Sequence, residues 1–388
     1  MTSVAAPWRT ALVGFAILVF SMGIGRFAFT PLLPVMQAEG LLSIVSGGTL
    51  ASVHFIGYAM GAVLAGFLPN YPKASLFASF ALIGVSTLAM GVTDSYAAWL
   101  VARWLAGVCS ALVLVLVSTH LVRSLADAGR ADLQGVVFAG VGGGTAIVGF
   151  AMLGFMANGS SSGLGWQAFG FATLIALPVI YVLSGTQVYN QGFTGPRAVP
   201  AGRAGSWRIV LPYGAMGAGY IIPATYLPFM AQQSVPSPLV FGWSWPVFGL
   251  AAAISTLLAA RLHKTYSNRQ VWIGSQVIMA LGLALPALWS GLGAIVIGGI
   301  CVGGTFMVIT MAGMKEAHRV AGPDRAHRLI AAITGAFALG QIIGPLIAGW
   351  AYAATGSFTY PLLLGSAVLL VTLTPMLAPA TAVPKPSP

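Results

Sequence analysis

Two arginines, Arg26 and Arg103, stand well inside stretches that are otherwise apolar, and no aspartate or glutamate accompanies them there. The acids Glu39, Asp94, Asp127, Asp132, Glu316 and Asp324 fall in loops or at segment ends. A guanidinium keeps its charge and presents a planar fork of donors, so a buried one without a carboxylate is suited to hold an anion. The run that carries Arg26, Met22–Met36, recurs in one register as Met216–Met230, with methionine, two glycines, leucine, proline and methionine in common. Arg26 is matched in the second copy by Tyr220, whose hydroxyl and ring could face the same ligand or serve as packing. Arg103 is read either as a second ligand contact or as an anchor to main-chain carbonyls. His54 and Tyr58 lie four apart and share a helix face. His54 is the obvious titratable group at depth that is not an arginine, either a proton carrier or a packed neutral imidazole. Gln341 and Gln276 are further polar candidates from the second copy.

These residues need elements that expose them. Gly23 and Gly25 permit close backbone approach beside Arg26, while Pro31 and Pro34 remove helix hydrogen bonds beyond it. Gly217, Gly219, Pro223 and Pro228 repeat the arrangement, so two bent helices are expected to face each other across the repeat axis and act as hinges. At 1.5 Å per residue Arg26 sits roughly 15 Å below one membrane boundary and Arg103 roughly 9 Å.

The chain is 58% hydrophobic and 6% charged, where a soluble protein would carry about a quarter charged residues. Apolar runs of about 20 residues fall near 11–36, 46–68, 74–92, 97–121, 133–156, 166–184, 209–231, 239–262, 270–289, 292–314, 328–353 and 358–378. The expected fold is all-α, with twelve transmembrane helices in two six-helix repeats. An even number of spans separates the copies, so the repeat is parallel. The expected domains are residues 1–184, a cytoplasmic linker 185–207 rich in Gly, Pro and Arg, and residues 208–388.

The net charge of +11 does not point to nucleic acid, because apart from Arg26 and Arg103 the Lys and Arg residues lie at the termini and in alternate loops. By the positive-inside rule both termini and the linker are cytoplasmic. Cys109 and Cys301 lie within apolar spans and read as packing residues. No metal-ligand spacing, paired aspartates or nucleophile motif is present, and the glycines of 140–144 lack the Lys-Ser/Thr of a phosphate loop. Neither an enzyme nor a cofactor is expected.

The twelve-helix plan, the parallel repeat, the cytoplasmic termini and the basic central linker resemble the major facilitator superfamily over nearly the whole chain. Arg103-Trp-Leu-Ala-Gly107 is similar to its Arg-x-x-x-Gly signature, and Gly61 to Lys73 corresponds to its loop between helices two and three, with Ala65 and Gly66 where an acid is expected. The Gly23–Pro34 run resembles the bacterial YbfB/YjiJ-type branch. The resemblance implies a secondary transporter of the bacterial inner membrane, working as a monomer by alternating access. Combined with the unpaired arginines, it implies a small organic solute, anionic in character, with protons as a candidate coupling ion. The alternatives are proton-coupled efflux of drugs or apolar or cationic metabolites, and a sensor or receptor that no longer transports.

Overall fold

Backbone polar groups find no partner in hydrocarbon, so apolar runs that cross a membrane fold as helices. The computed structural model describes residues 5–65, 72–185, 207–321 and 326–377, and its spans are helical throughout. The first half comprises α1 (Pro7–Ala38), α2 (Ile44–Leu64), α3 (Pro72–Ala89), α4 (Tyr96–Asp127), α5 (Ala131–Ala157) and α6 (Ser162–Ser184). The second comprises α7 (Trp207–Ser234), α8 (Ser244–Thr265), α9 (Asn268–Leu288), α10 (Leu292–Ala321), α11 (Ala326–Thr355) and α12 (Thr359–Leu377). All but α7 include a stretch long and apolar enough to cross a membrane. α7 falls short because Tyr213, Tyr220, Tyr226 and three prolines interrupt its apolar residues. That composition fits its place, since α7 is buried from Ala215 to Ala231 apart from Ala218 and meets protein on most sides.

Local signals set several ends. Ser43 and Ser46 form a reciprocal capping box at the start of α2, and Ser267 with Gln270 does the same for α9, each satisfying amides with no helical partner. Glu39, just past α1, accepts from the Ser162 amide (2.7 Å) and hydroxyl, so it caps α6. α10 continues to Ala321, beyond the expected end at 314, and Glu316 therefore lies within a helix. It is 2% exposed and paired with Arg319 at 2.6 Å. Most of the expected linker, and residues 66–71 of the loop between α2 and α3, lie outside the described residues.

Small residues decide which helices touch. Within the first half α1 packs on α5, α2 on α4, and α3 on both α4 and α6; within the second, α7 packs on α11, α8 on α10, and α9 on both α10 and α12. The halves meet along α5 with α8 and α2 with α11, and through the later part of α1 against α7. A Cβ on Gly142 would meet the Ala253 amide, and one on Gly249 the Ala146 amide, so α5 and α8 are in backbone contact. The Cβ test also exposes the repeat. Gly107 of α4 abuts the His54 carbonyl of α2, and Gly303 of α10 abuts the Phe248 carbonyl of α8. α6 stays at the periphery with an apolar outer face that includes Ile175 and Val182, 70% and 73% exposed, as a lipid-facing helix requires.

Candidate functional site

The site begins with an interruption in α1. Regular helix ends at Leu18, a wider π turn covers Val19–Ile24, and regular helix resumes at Phe29. The Gly25 amide reaches back five residues to the Phe20 carbonyl (3.0 Å) and the Phe27 amide to Met22 (3.1 Å). Such wide turns leave carbonyls in need of donors. Arg103 supplies them: its two terminal nitrogens donate to the Gly25 and Arg26 carbonyls at 3.3 and 3.4 Å. The Ser110 hydroxyl donates to the Ser21 carbonyl at 3.1 Å. Gly23 is needed because a Cβ there would strike the Gly144 backbone, and one on Gly25 would come within 2.6 Å of Ile83. Pro31 and Pro34 lie in the resumed helix. α7 has no matching interruption: it stays regular helix through Gly217, Gly219, Pro223 and Pro228.

The interruption turns Arg26 toward the second half. Its side chain is 5% exposed and donates from Nη2 to the Tyr220 hydroxyl, which also accepts from Gln341 Nε2. Three rings surround the guanidinium carbon, Phe27 and Phe55 at 5.0 Å and Tyr58 at 4.9 Å. Arg26 Nε and Gln341 Oε1 are buried without a hydrogen-bond partner. Among the described residues, the ion pairs are Arg123–Asp127, Arg130–Asp132 and Arg319–Glu316, so no carboxylate neutralises Arg26 or Arg103. A buried guanidinium held only by neutral groups is incompletely compensated.

The Arg26–Tyr220 bond joins residues 194 apart, and so does the bond from the Thr30 hydroxyl to the Ala224 carbonyl at 2.5 Å. Each joins repeat-equivalent positions, as happens where a pseudo-twofold axis passes between two helices. Ser52 of α2 adds a third cross-half bond, to the Ile342 carbonyl of α11 at 2.7 Å.

Arg26, Tyr220, Tyr58 and Gln341 thus come together. His54 joins them in the same core, fully buried beside Phe55, with neither ring nitrogen hydrogen-bonded and with Arg26 and Arg103 as its charged neighbours. Arg103, one of the expected ligand contacts, has its terminal nitrogens committed to α1. Tyr226 donates to the Pro345 carbonyl (2.8 Å) with its hydroxyl against Gly48 of α2, and Gln276 links Trp272 to the Leu369 carbonyl within the second half. Cys109 and Cys301 are free thiols, and no group of metal-ligating residues occurs among the described residues.

Sequence reasoning did not single out the aromatic wall. The Tyr220 ring lies parallel between Phe306 (5.2 Å) and Phe337 (5.6 Å), while Phe27 packs edgewise on Trp245 and Phe306. Nothing in the sequence separates these from the other phenylalanines, because Phe306 and Phe337 reach the centre only through the packing of α10 and α11 on α7.

Comparison with known proteins decides the family. The profile described as "Uncharacterised MFS-type transporter YbfB" matches residues 18–377. The chain belongs to this family of major facilitator transporters. The transporter is 24% identical over 362 residues to an uncharacterised MFS-type transporter of Yersinia pestis, covering 89% of this chain and 88% of the relative. It is 33% identical over 101 residues, 26% of each chain, to YceJ of Bacillus subtilis. Among solved structures it superposes on a mutant of the nucleoside transporter NupG with a TM-score of 0.75 at 13% identity, covering 96% of this chain and 98% of that one. It also matches the human organic anion transporter MFSD10, TM-score 0.64 at 16% identity, covering 96% and 99%. The fold, the multi-pass membrane location and a transport function in general follow from this membership.

Proposed function

We propose that the transporter moves a small organic anion by alternating access, with Arg26 as the group that binds it. The observation that carries this reading is the buried guanidinium at the repeat axis, held by Tyr220 and three aromatic faces with no carboxylate beside it. An anion entering between the halves supplies the missing charge, takes Arg26 from Tyr220 and so acts on the contact that joins them. A nucleoside transporter and an organic anion transporter share this fold, so the fold does not select the solute; the sign of the central charge does. Cation efflux would need an acid at this depth, whereas the site offers two guanidiniums.

His54 is the candidate proton carrier. A proton there adds a third positive charge to the core, which an arriving anion offsets; this links protonation to substrate arrival and favours movement of both in one direction. The halves rock as residues 1–184 and 208–388, joined by a cytoplasmic linker, with both termini in the cytoplasm and one chain forming the working unit. The deciding experiment is counterflow of labelled solutes in proteoliposomes. Accumulation of organic anions, with no response to organic cations, supports the reading. Accumulation restricted to cations refutes it, and anion binding without counterflow would make the chain a receptor.

A further inference from the structure

A proline inside a helix has no amide to give, so it frees the carbonyl four residues before it, and within a membrane such a carbonyl takes a donor from elsewhere. In α1 the repair is local: Pro31 frees the Phe27 carbonyl, and the Thr30 amide reaches it at 3.3 Å. In α7 Pro228 frees the Ala224 carbonyl. Its donor comes from the other half of the molecule, the Thr30 hydroxyl of α1 at 2.5 Å. Thr30 and Ala224 are both buried, so water does not compete for this carbonyl while the halves are together.

The bond lies about one helical turn beyond Arg26 and Tyr220, on the side where α1 and α7 finish at Ala38 and Ser234. Packing at this end is tight. α1 is buried from Phe29 to Pro34 and α7 from Gly219 to Ala231. Beside them, a Cβ on Gly48 of α2 would strike the Tyr226 hydroxyl of α7 and the Pro345 carbonyl of α11. The repeat shows that the bond between α1 and α7 is lopsided. Pro34 stands at the position equivalent to Pro228, so the carbonyls of positions 30 and 224 are freed alike. Of the two side chains only Thr30 carries a hydroxyl, and so one of two equivalent bonds exists.

We infer that the Thr30 hydroxyl, seated on the carbonyl that Pro228 frees, is a lock that holds this end of the transporter shut and sets the balance between its closed and open forms without ligand. This rests on the rocking of the halves and the cytoplasmic termini proposed above, by which the locked end is the outer one; it does not depend on the charge of the solute. When the halves part, water reaches the Ala224 carbonyl and replaces Thr30 there, so the lock opens at the cost of one hydrogen bond exchanged.

The test measures distances between nitroxide labels by double electron–electron resonance on the purified full chain carrying Cys109→Ala and Cys301→Ala, with no solute added. Labelled cysteines at Ala38 and Ser234 report the outer end and those at Leu12 and Leu211 the inner end, all four positions being exposed. Thr30→Val leaves a buried carbonyl without its donor in the closed form, so the outer pair should shift at least about fivefold from the short to the long distance, while the inner pair shifts the other way. Adding Ala224→Ser to Thr30→Val sets a hydroxyl opposite the carbonyl freed by Pro34 and should return most of the shift. Pro228→Ala supplies the Ala224 carbonyl from within α7 in both forms; it should shift the outer pair in the same direction, and Thr30→Val should add little to it. Pro228→Ala carries the test should Thr30→Val not fold. An unmoved outer pair, lengthening at both ends, or additive shifts of Thr30→Val and Pro228→Ala each overturn the lock. Anion counterflow by a protein whose outer pair ignores these variants overturns the lock alone and leaves the anionic reading standing.

Discussion

Replacing Arg26 by alanine separates its role in the fold from its role in binding. In the ligand-free protein the guanidinium contributes a bond to Tyr220 and contacts with three rings at about 5 Å. Cation–π contacts are worth about 0.5–2 kcal/mol each, more when desolvated. Against this, an arginine at the centre of a membrane helix costs about 2.5–3.5 kcal/mol on insertion scales. At the lower end of these ranges the ring contacts and the bond come to about 3 kcal/mol, which the insertion cost offsets, so Arg26→Ala should insert and unfold with a melting temperature close to wild type. Gln341 still occupies the Tyr220 hydroxyl in the variant. With ligand bound there is no such cancellation, because the variant buries a carboxylate opposite nothing. Truncating one side of a buried charge pair costs about 2–5 kcal/mol, which is roughly a 30-fold to several-thousand-fold loss of affinity. Arg26→Lys should recover part of this loss, since an ammonium restores the charge but not the bidentate fork. The assay pairs thermal unfolding with calorimetric titration of whichever anion stabilises the wild type. An alanine variant that binds this anion within about threefold of wild type refutes the assignment of Arg26.

Tyr220→Phe keeps the ring between Phe306 and Phe337 but removes the hydroxyl that accepts from Arg26 and Gln341. A hydrogen bond to a charged group is worth about 1.5–3 kcal/mol, so the equilibrium should move at least about tenfold toward separation of α1 and α7; crosslinking of a Thr30→Cys, Ala224→Cys pair should fall, and an unchanged yield argues against the bridge. Gly142→Ala places a methyl against the backbone of Ala252 and Ala253, whereas Gly154 of the same helix has nothing within 4 Å of its Cβ position. The first should lower thermal stability by about 1–3 kcal/mol, the second should be neutral, and equal melting temperatures would remove the backbone contact between α5 and α8 from the account. His54→Gln should retain ligand affinity yet abolish the pH dependence of uphill transport, and wild-type pH dependence in this variant would return His54 to packing. Cysteines at Ser234 and Thr265, both exposed, should be labelled from opposite sides of the membrane, Thr265 from the cytoplasm; labelling of both from one side overturns the orientation.

The repeat and the helices were legible in sequence because they rest on long apolar runs and on one well-preserved stretch. Arg26 was legible for a related reason, since a charge in such a run costs enough to need an explanation. What could not be read was commitment. Arg103 has the same chemistry as Arg26, and only its position opposite the interruption of α1 shows that its two terminal nitrogens bond carbonyls there. The interruption itself was half legible: Gly23 and Gly25 marked it, but the matching glycines and prolines of α7 marked a bend that did not become a break. α10 runs past its apolar span because the pairing of Glu316 with Arg319 lets the helix continue through the charged residues at its end.

The two halves share a backbone plan but divide the chemistry. Gly107 pressed on the His54 carbonyl corresponds to Gly303 pressed on the Phe248 carbonyl, so α2 and α4 have their counterparts in α8 and α10. In that correspondence the first half places arginine, histidine and tyrosine at positions 26, 54 and 58, where the second places Tyr220, Phe248 and Ala252. Charge is therefore concentrated on one side of the axis and aromatic surface on the other. The asymmetry has a physical basis, because two arginines facing each other across the axis would repel at close range in a medium of low dielectric constant. One charge against an aromatic partner instead gives an attractive contact that holds the halves together when the centre is empty. On the proposed reading an anion competes for that same guanidinium, so that binding and the release of the contact between the halves are one event at Arg26. On that reading a single side chain couples ligand to movement, and its partner across the axis is the aromatic Tyr220.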